Sequence, residues 1–79
     1  MKVLTIYSRP DCHLCDQMAE ELSPLLQGRA ELRFVDISQD IELKRRYGVR
    51  IPVLSGGGEE LCEFRLDRER VEQYLNASS

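Results

Sequence analysis

Two cysteines separated by two residues, Cys12-His13-Leu14-Cys15, are the side chains of this sequence best suited to chemistry. They follow a run of β-branched and aromatic residues, Lys2 to Tyr7, and precede apolar residues at helical spacing, which places them at a strand-to-helix junction. A thiol there meets the free amides of the first helical turn and the positive end of the helix dipole, and both favour thiolate over thiol. One turn of helix also brings Cys15 close enough to Cys12 to close a short disulfide ring. Cys12 is then the exposed nucleophile, and Cys15, deeper in the turn, is the resolving thiol that attacks a mixed disulfide. Arg9 and a protonated His13 favour the thiolate, whereas Asp11 and Asp16 oppose it. Two rivals stand beside this reading. The pair could be inert cysteines packed as small hydrophobes. Alternatively, Cys12, Cys15, Cys62 and His13 offer four nominal ligands for a metal ion or iron–sulfur cluster. Against that stands His13, which cannot easily turn onto the same ion as its neighbour Cys12, so no metal ligand is assigned.

The elements that must position this pair are legible in the pattern. Lys2 to Tyr7 reads as a buried strand, broken by Arg9-Pro10-Asp11. From Cys12 the residues Leu14, Met18, Leu22, Leu25 and Leu26 mark a helix that kinks or shifts at Pro24 and ends near Gln27-Gly28. Glu31 to Asp36 is a second strand. Ser38 is the expected cap of a short helix over Gln39 to Tyr47, with Gly48 as its left-handed stop. Ile51 to Leu54 forms a third strand opening at a proline, and Leu61 to Arg65 a fourth, with the Gly56-Gly57-Gly58 turn between. Cys62, Phe64 and Leu66 share the inward face of that fourth strand. Asp67 caps a last helix carrying Val71, Tyr74 and Leu75 on one side, and Ser78-Ser79 is a frayed end. The order β-α-β-α-β-β-α predicts an α/β fold: a four-stranded mixed sheet with helices on both faces. Its first two strands are parallel and its last two form an antiparallel hairpin.

Composition narrows the function. The 79 residues allow one small domain, 1–79, whose stability margin is thin. Hydrophobic residues make up 42% and charged residues 32%, which suits a soluble globular fold. Eleven basic against fourteen acidic residues leave a net charge of −3, which supplies no footprint for nucleic acid or an anionic membrane. No apolar stretch has the length of a secretory signal or a membrane span, so the expected address is the cytoplasm. Three cysteines, an odd number, argue against a structural disulfide framework.

With Tyr7-Ser8-Arg9-Pro10-Asp11-Cys12-His13-Leu14-Cys15 and the later Ile51-Pro52 in place, the chain resembles the thioredoxin superfamily, and its size makes it similar to a glutaredoxin. It is similar in particular to small bacterial glutaredoxin-like proteins in which a C-H-L-C motif and a helix ending in Tyr-Gly-Val recur. The resemblance spans roughly residues 2–76 and implies a thioredoxin/glutaredoxin-like fold. It implies that Pro52 is cis and lies against the active disulfide, with the backbone of Ile51 binding an incoming peptide or glutathione strand. Without the resemblance, Pro52 is a trans proline that opens a strand. The sequence also departs from the glutaredoxin pattern. His13-Leu14 replaces Pro-Tyr between the cysteines, and Arg9 stands for the usual lysine. Arg50-Ile51-Pro52 replaces Thr-Val-Pro, and Phe64-Arg65-Leu66 stands near a missing Gly-Gly pair. Asp67 is placed either to receive a glutathione amino group or simply to cap its helix.

The expected function is therefore a thiol–disulfide oxidoreductase. Cys12 and Cys15 are its catalytic residues, and Arg9, His13, Ile51, Pro52 and Asp67 are substrate-binding candidates. Its expected partners are a protein or low-molecular-weight disulfide and glutathione as co-substrate, with no bound cofactor and a monomeric state. Alternatives are a thioredoxin-fold binding module without efficient turnover, or a metal or iron–sulfur carrier. His13 reads equally as an exposed spectator. Arg45, Arg46 and Arg50 are either a solvated helix face or cations that steer an acidic substrate.

Overall fold

A computed structural model of the chain describes residues 2–77, so the fraying expected at Ser78-Ser79 lies outside it. Strand β1 (Lys2–Ser8) leads into helix α1 (His13–Leu26), and strand β2 (Ala30–Asp36) follows. A 3-10 turn (Ile37–Gln39) then precedes helix α2 (Ile41–Tyr47). Strands β3 (Val53–Gly56) and β4 (Glu59–Glu63) and helix α3 (Arg68–Ala77) complete the order. The sheet order is β2-β1-β3-β4, with β1 parallel to β2 and antiparallel to β3, and β3 antiparallel to β4. This is the mixed four-stranded α/β arrangement expected from the order of elements.

The two-residue period of the strands divides the core into two layers. Leu4 and Ile6 of β1 and Leu54 of β3 are wholly buried on one face. They pack there with Met18, Leu22 and Leu26 of α1 and with Val71 and Leu75 of α3. Tyr7 and Val53, one residue out of phase, turn to the other face and meet Ile37, Tyr47 and Ile51 around α2. Cys15 belongs to this second cluster although it stands on α1. The start of α1 therefore sits where the two cores meet, at the end of the sheet.

Several local expectations are corrected. Asp40, not Ser38, caps α2: its Oδ1 accepts the N–H groups of Glu42 at 2.9 Å and Leu43 at 3.2 Å. Ser38 instead turns back on Asp36, donating from its N–H at 2.8 Å and its hydroxyl at 2.6 Å. The hydroxyl bond first, and the amide bond with it, hold the Asp36 carboxyl below the usual carboxylate range. Gly48 is not left-handed (φ −52°, ψ −35°); it continues the helical turn so closely that a Cβ there would strike the Lys44 carbonyl. The β3–β4 hairpin closes in two residues, Gly57 and Gly58, so that β3 runs on to Gly56 and β4 begins at Glu59 rather than Leu61. Their φ values of 60° and 84° are the pair of left-handed conformations that suits a tight hairpin and that glycine adopts without strain. The strand after this shorter turn ends at Glu63, and a register shift lies opposite Leu54/Ser55. The shift lets Leu61 and Cys62 both pack on the first core, while Phe64 falls outside the strand and is 45% exposed. Helix α1 runs through Pro24, which lies on its exposed side, to Leu26. In its first turn the buried place belongs to Cys15 and not to Leu14.

Replacing the fully buried Leu22 by alanine should lower stability by about 2–5 kcal/mol in urea denaturation, through lost burial and a residual cavity. Alanine at Phe34, 61% exposed on edge strand β2, should stay within about 0.5 kcal/mol.

Candidate functional site

The cysteine pair is placed by the way α1 begins. Asp11 takes a left-handed φ of 61°, a conformation that aspartate tolerates better than most side chains, and the chain turns there out of β1. Cys12 follows in extended geometry (φ −101°, ψ 104°) as the N-cap of α1. Its Sγ accepts the N–H of Cys15 at 3.2 Å, and its carbonyl accepts the N–H of Asp16 at 3.1 Å. Sulfur thus takes the capping place that a serine or aspartate oxygen usually fills. Cys12 and Cys15 are joined as a disulfide, with Cα atoms 5.2 Å apart. Cys12 is half-buried, whereas Cys15 is only 4% exposed. An attacking and a resolving sulfur require that difference in access.

The Ile51–Pro52 peptide is cis, as the resemblance implies. Ile51 is buried in the same cluster as Cys15, and Pro52 is wholly buried. The Pro52 carbonyl accepts the N–H of Phe64 at 2.9 Å, which ties this loop to the end of β4. Below it, the rings of Tyr7 and Tyr47 stack at 4.1 Å between centroids and 17° between planes. Burial first, and then the neighbouring Tyr7, push the Tyr47 phenol above its ordinary value, so the neutral form is preferred. The Arg50 guanidinium lies 5.5 Å from the Tyr47 ring centre and bonds Glu60 at 2.7 Å, Glu63 at 3.1 Å and the Arg46 carbonyl at 3.0 Å. The hydrogen bond from Arg50 holds the Glu60 carboxyl below its ordinary range. Arg50 is therefore a tie between α2 and β4, not a cation left over for substrate.

The other candidates are scattered. Arg9 and His13 are exposed beside the motif, and neither makes an ion pair among the described residues. Asp67 serves as the cap of α3, its Oδ1 accepting the Arg70 N–H at 3.0 Å. Cys62 is half-buried in the first core layer, and burial pushes its thiol up. Among the described residues no group of three or more His, Cys, Asp or Glu side chains is gathered to hold a metal ion. The four nominal ligands Cys12, His13, Cys15 and Cys62 thus form no donor set within one chain. Sequence reasoning did not find the Tyr7–Tyr47 stack or the Phe64–Pro52 bond. Tyr7 is conspicuous just before the motif, but the left-handed Phe64 (φ 68°) left no signal in residue type.

The sequence profile of the glutaredoxin-like domain (DUF836) matches residues 3–76. The chain belongs to that family. This glutaredoxin-like domain is 39% identical to target protein XcR50 from X. campestris in an X-ray structure covering 96% of this chain and 99% of that one, with a TM-score of 0.76. A solution structure of XcR50 gives 40% identity, coverage of 100% and 97%, and a TM-score of 0.71. Fasciola hepatica thioredoxin is 19% identical over 99% of this chain and 81% of its own, with a TM-score of 0.60. That more distant likeness shows the thioredoxin fold alone. Fold, family and the Cys12–Cys15 disulfide together support a redox-type role for the glutaredoxin-like domain. No helix among its described residues is long and apolar enough to cross a membrane.

Two outcomes are expected. After reduction, a limiting amount of iodoacetamide should label Cys12 ahead of Cys15, which is buried, and of Cys62, whose thiol is held protonated; peptide mapping reads the order. Because Glu60 is depressed by Arg50, its stabilisation is present above the ordinary glutamate value and lost as pH falls through the folded one. The stability difference between wild type and Arg50→Ala should therefore shrink from about pH 6 to about pH 3, as followed by urea denaturation.

Proposed function

We propose that this glutaredoxin-like domain is a thiol–disulfide oxidoreductase. The observation that carries the reading is the pairing of a half-buried Cys12 at the N-cap of α1 with a buried Cys15 whose amide faces the Cys12 sulfur. In the reduced protein the Cys12 thiolate attacks one sulfur of a substrate disulfide, forming a mixed disulfide and releasing the first substrate thiolate. The Cys15 thiolate then attacks the Cys12 sulfur. This breaks the mixed disulfide, releases the second substrate thiolate and leaves Cys12 and Cys15 joined. Two electrons pass from the dithiol to the substrate, and the protons lost by the two cysteines go to the released thiols through solvent. A thiol reductant, glutathione or a partner dithiol protein, restores the pair. Ile51 and Pro52 shape the surface on which the disulfide docks, and Arg9 and His13 flank the attacking sulfur. The protein works in a thiol-reducing, cytoplasmic setting and binds no cofactor of its own.

Replacing Cys12 by serine should abolish reduction of a small disulfide such as bis(2-hydroxyethyl) disulfide. Replacing Cys15 should instead let the mixed disulfide on Cys12 accumulate as an adduct visible by intact mass. Unchanged turnover without Cys12 would sink the mechanism. It would favour a binding module that has kept the fold without the dithiol cycle.

A further inference from the structure

A groove of about 870 Å³ runs between the exposed side of α1 and the segment joining β4 to α3. It begins at Leu14, inside the cysteine motif, and extends along α1 past Gln17 to Glu21. Its opposite wall carries Phe64, Arg65 and Arg68. Its size stands at the upper end of the roughly 300–1,000 Å³ of sites that enclose a whole organic ligand.

Three features of this groove, two of them at Phe64, concern what it holds. Apolar side chains are left out of the core at its mouth: Leu14 is 41% exposed and Phe64 45%. Phe64 also occupies a left-handed backbone conformation (φ 68°) that disfavours a bulky residue and that glycine would adopt freely. The conformation is fixed by the Phe64 N–H on the Pro52 carbonyl and the Arg65 N–H on the Glu63 carbonyl. An aromatic ring is thus held over the groove at a position where backbone geometry alone calls for glycine. The third feature is charge. Arg65 and Arg68 have no ion-pair partner among the described residues, and Arg68 stands in the first turn of α3, where the helix dipole disfavours a cation. Of the carboxylates on that wall, Glu63 is bound by Arg50 and Asp67 accepts the Arg70 amide. Glu21, across the groove on α1, is the remaining acid of the lining.

We infer that this groove docks the polypeptide bearing the substrate disulfide, receiving an apolar side chain between Leu14 and Phe64 and an acidic one at Arg65 and Arg68. The inference rests on the oxidoreductase reading and names its substrate class. Glutathione has carboxylates for the arginines but no large apolar side chain for Leu14 and Phe64. A peptide segment has both, and the groove continues about 10 Å along α1 from Leu14 to Glu21 to hold it.

The test separates docking from chemistry. Fluorescence anisotropy would follow binding of labelled, cysteine-free decapeptides to the reduced wild-type protein in excess dithiothreitol. One peptide carries a central Leu-Glu pair and the other Leu-Lys. The acidic peptide should bind about fivefold tighter, the scale of one exposed ion pair, and Arg65→Glu should erase that preference. Phe64→Gly should weaken binding of the acidic peptide about fivefold while the Tm holds or rises, because the strained residue is relieved. Equal affinity for the two peptides, no binding of either, or undiminished binding by Phe64→Gly would overturn the inference. So would displacement of the acidic peptide by reduced glutathione at an equal or lower concentration. Failure of the wild-type dithiol to reduce bis(2-hydroxyethyl) disulfide would overturn the oxidoreductase reading instead, a result that the binding data do not depend on.

Discussion

The sulfur of Cys12 caps helix α1, and the rest of the site is arranged around that contact. An α-helix begins with amides that have no intrahelical partner, and a side-chain acceptor at the N-cap satisfies one of them. Here the acceptor is the sulfur we propose as the nucleophile, 3.2 Å from the Cys15 amide. A thiolate at the same place would receive a charge-assisted hydrogen bond and face the positive end of the dipole, so in the proposed cycle the cap of the helix and the activation of the nucleophile are one interaction.

That contact is only as rigid as the packing that holds α1. Met18, Leu22 and Leu26 fix the body of the helix on the core shared with α3. Cys15 alone reaches the other layer, among Ile37, Tyr47, Ile51 and Val53. The motif is thus gripped from both faces of the sheet at its end. The Pro52 loop is held in its turn by the Phe64 amide and, one residue before Ile51, by the tie from Arg50 to β4. These surface ion pairs are each worth little in isolation. Their joint effect is to set the position of a loop that borders the disulfide cluster.

Much of this was legible in the residues because it follows from short-range periodicity. Alternation in β1, the helical spacing of Met18, Leu22 and Leu26, and the glycine turn before β4 give the order of elements and hence a mixed sheet. The cysteine spacing marks the site for the same local reason. What could not be read depends on competition between equivalent residues or on contacts far apart in the chain. Asp36, Ser38 and Asp40 are all good caps, and only the 3-10 turn decides that Asp40 starts α2. The two-residue hairpin moved β4 forward, and a register shift then freed Phe64 from the strand. Arg50 looked like a surface cation until β4 brought Glu60 and Glu63 against it.

A titration of the protein against glutathione redox buffers, read by intact mass with alkylation of free thiols, tests the central claim most directly. The account predicts that the Cys12–Cys15 disulfide forms and opens reversibly at a potential within the roughly −120 to −270 mV spanned by known dithiol catalysts, while Cys62 remains a thiol. Thiols that stay inert, or a disulfide that cannot be reduced anywhere in that range, would contradict it.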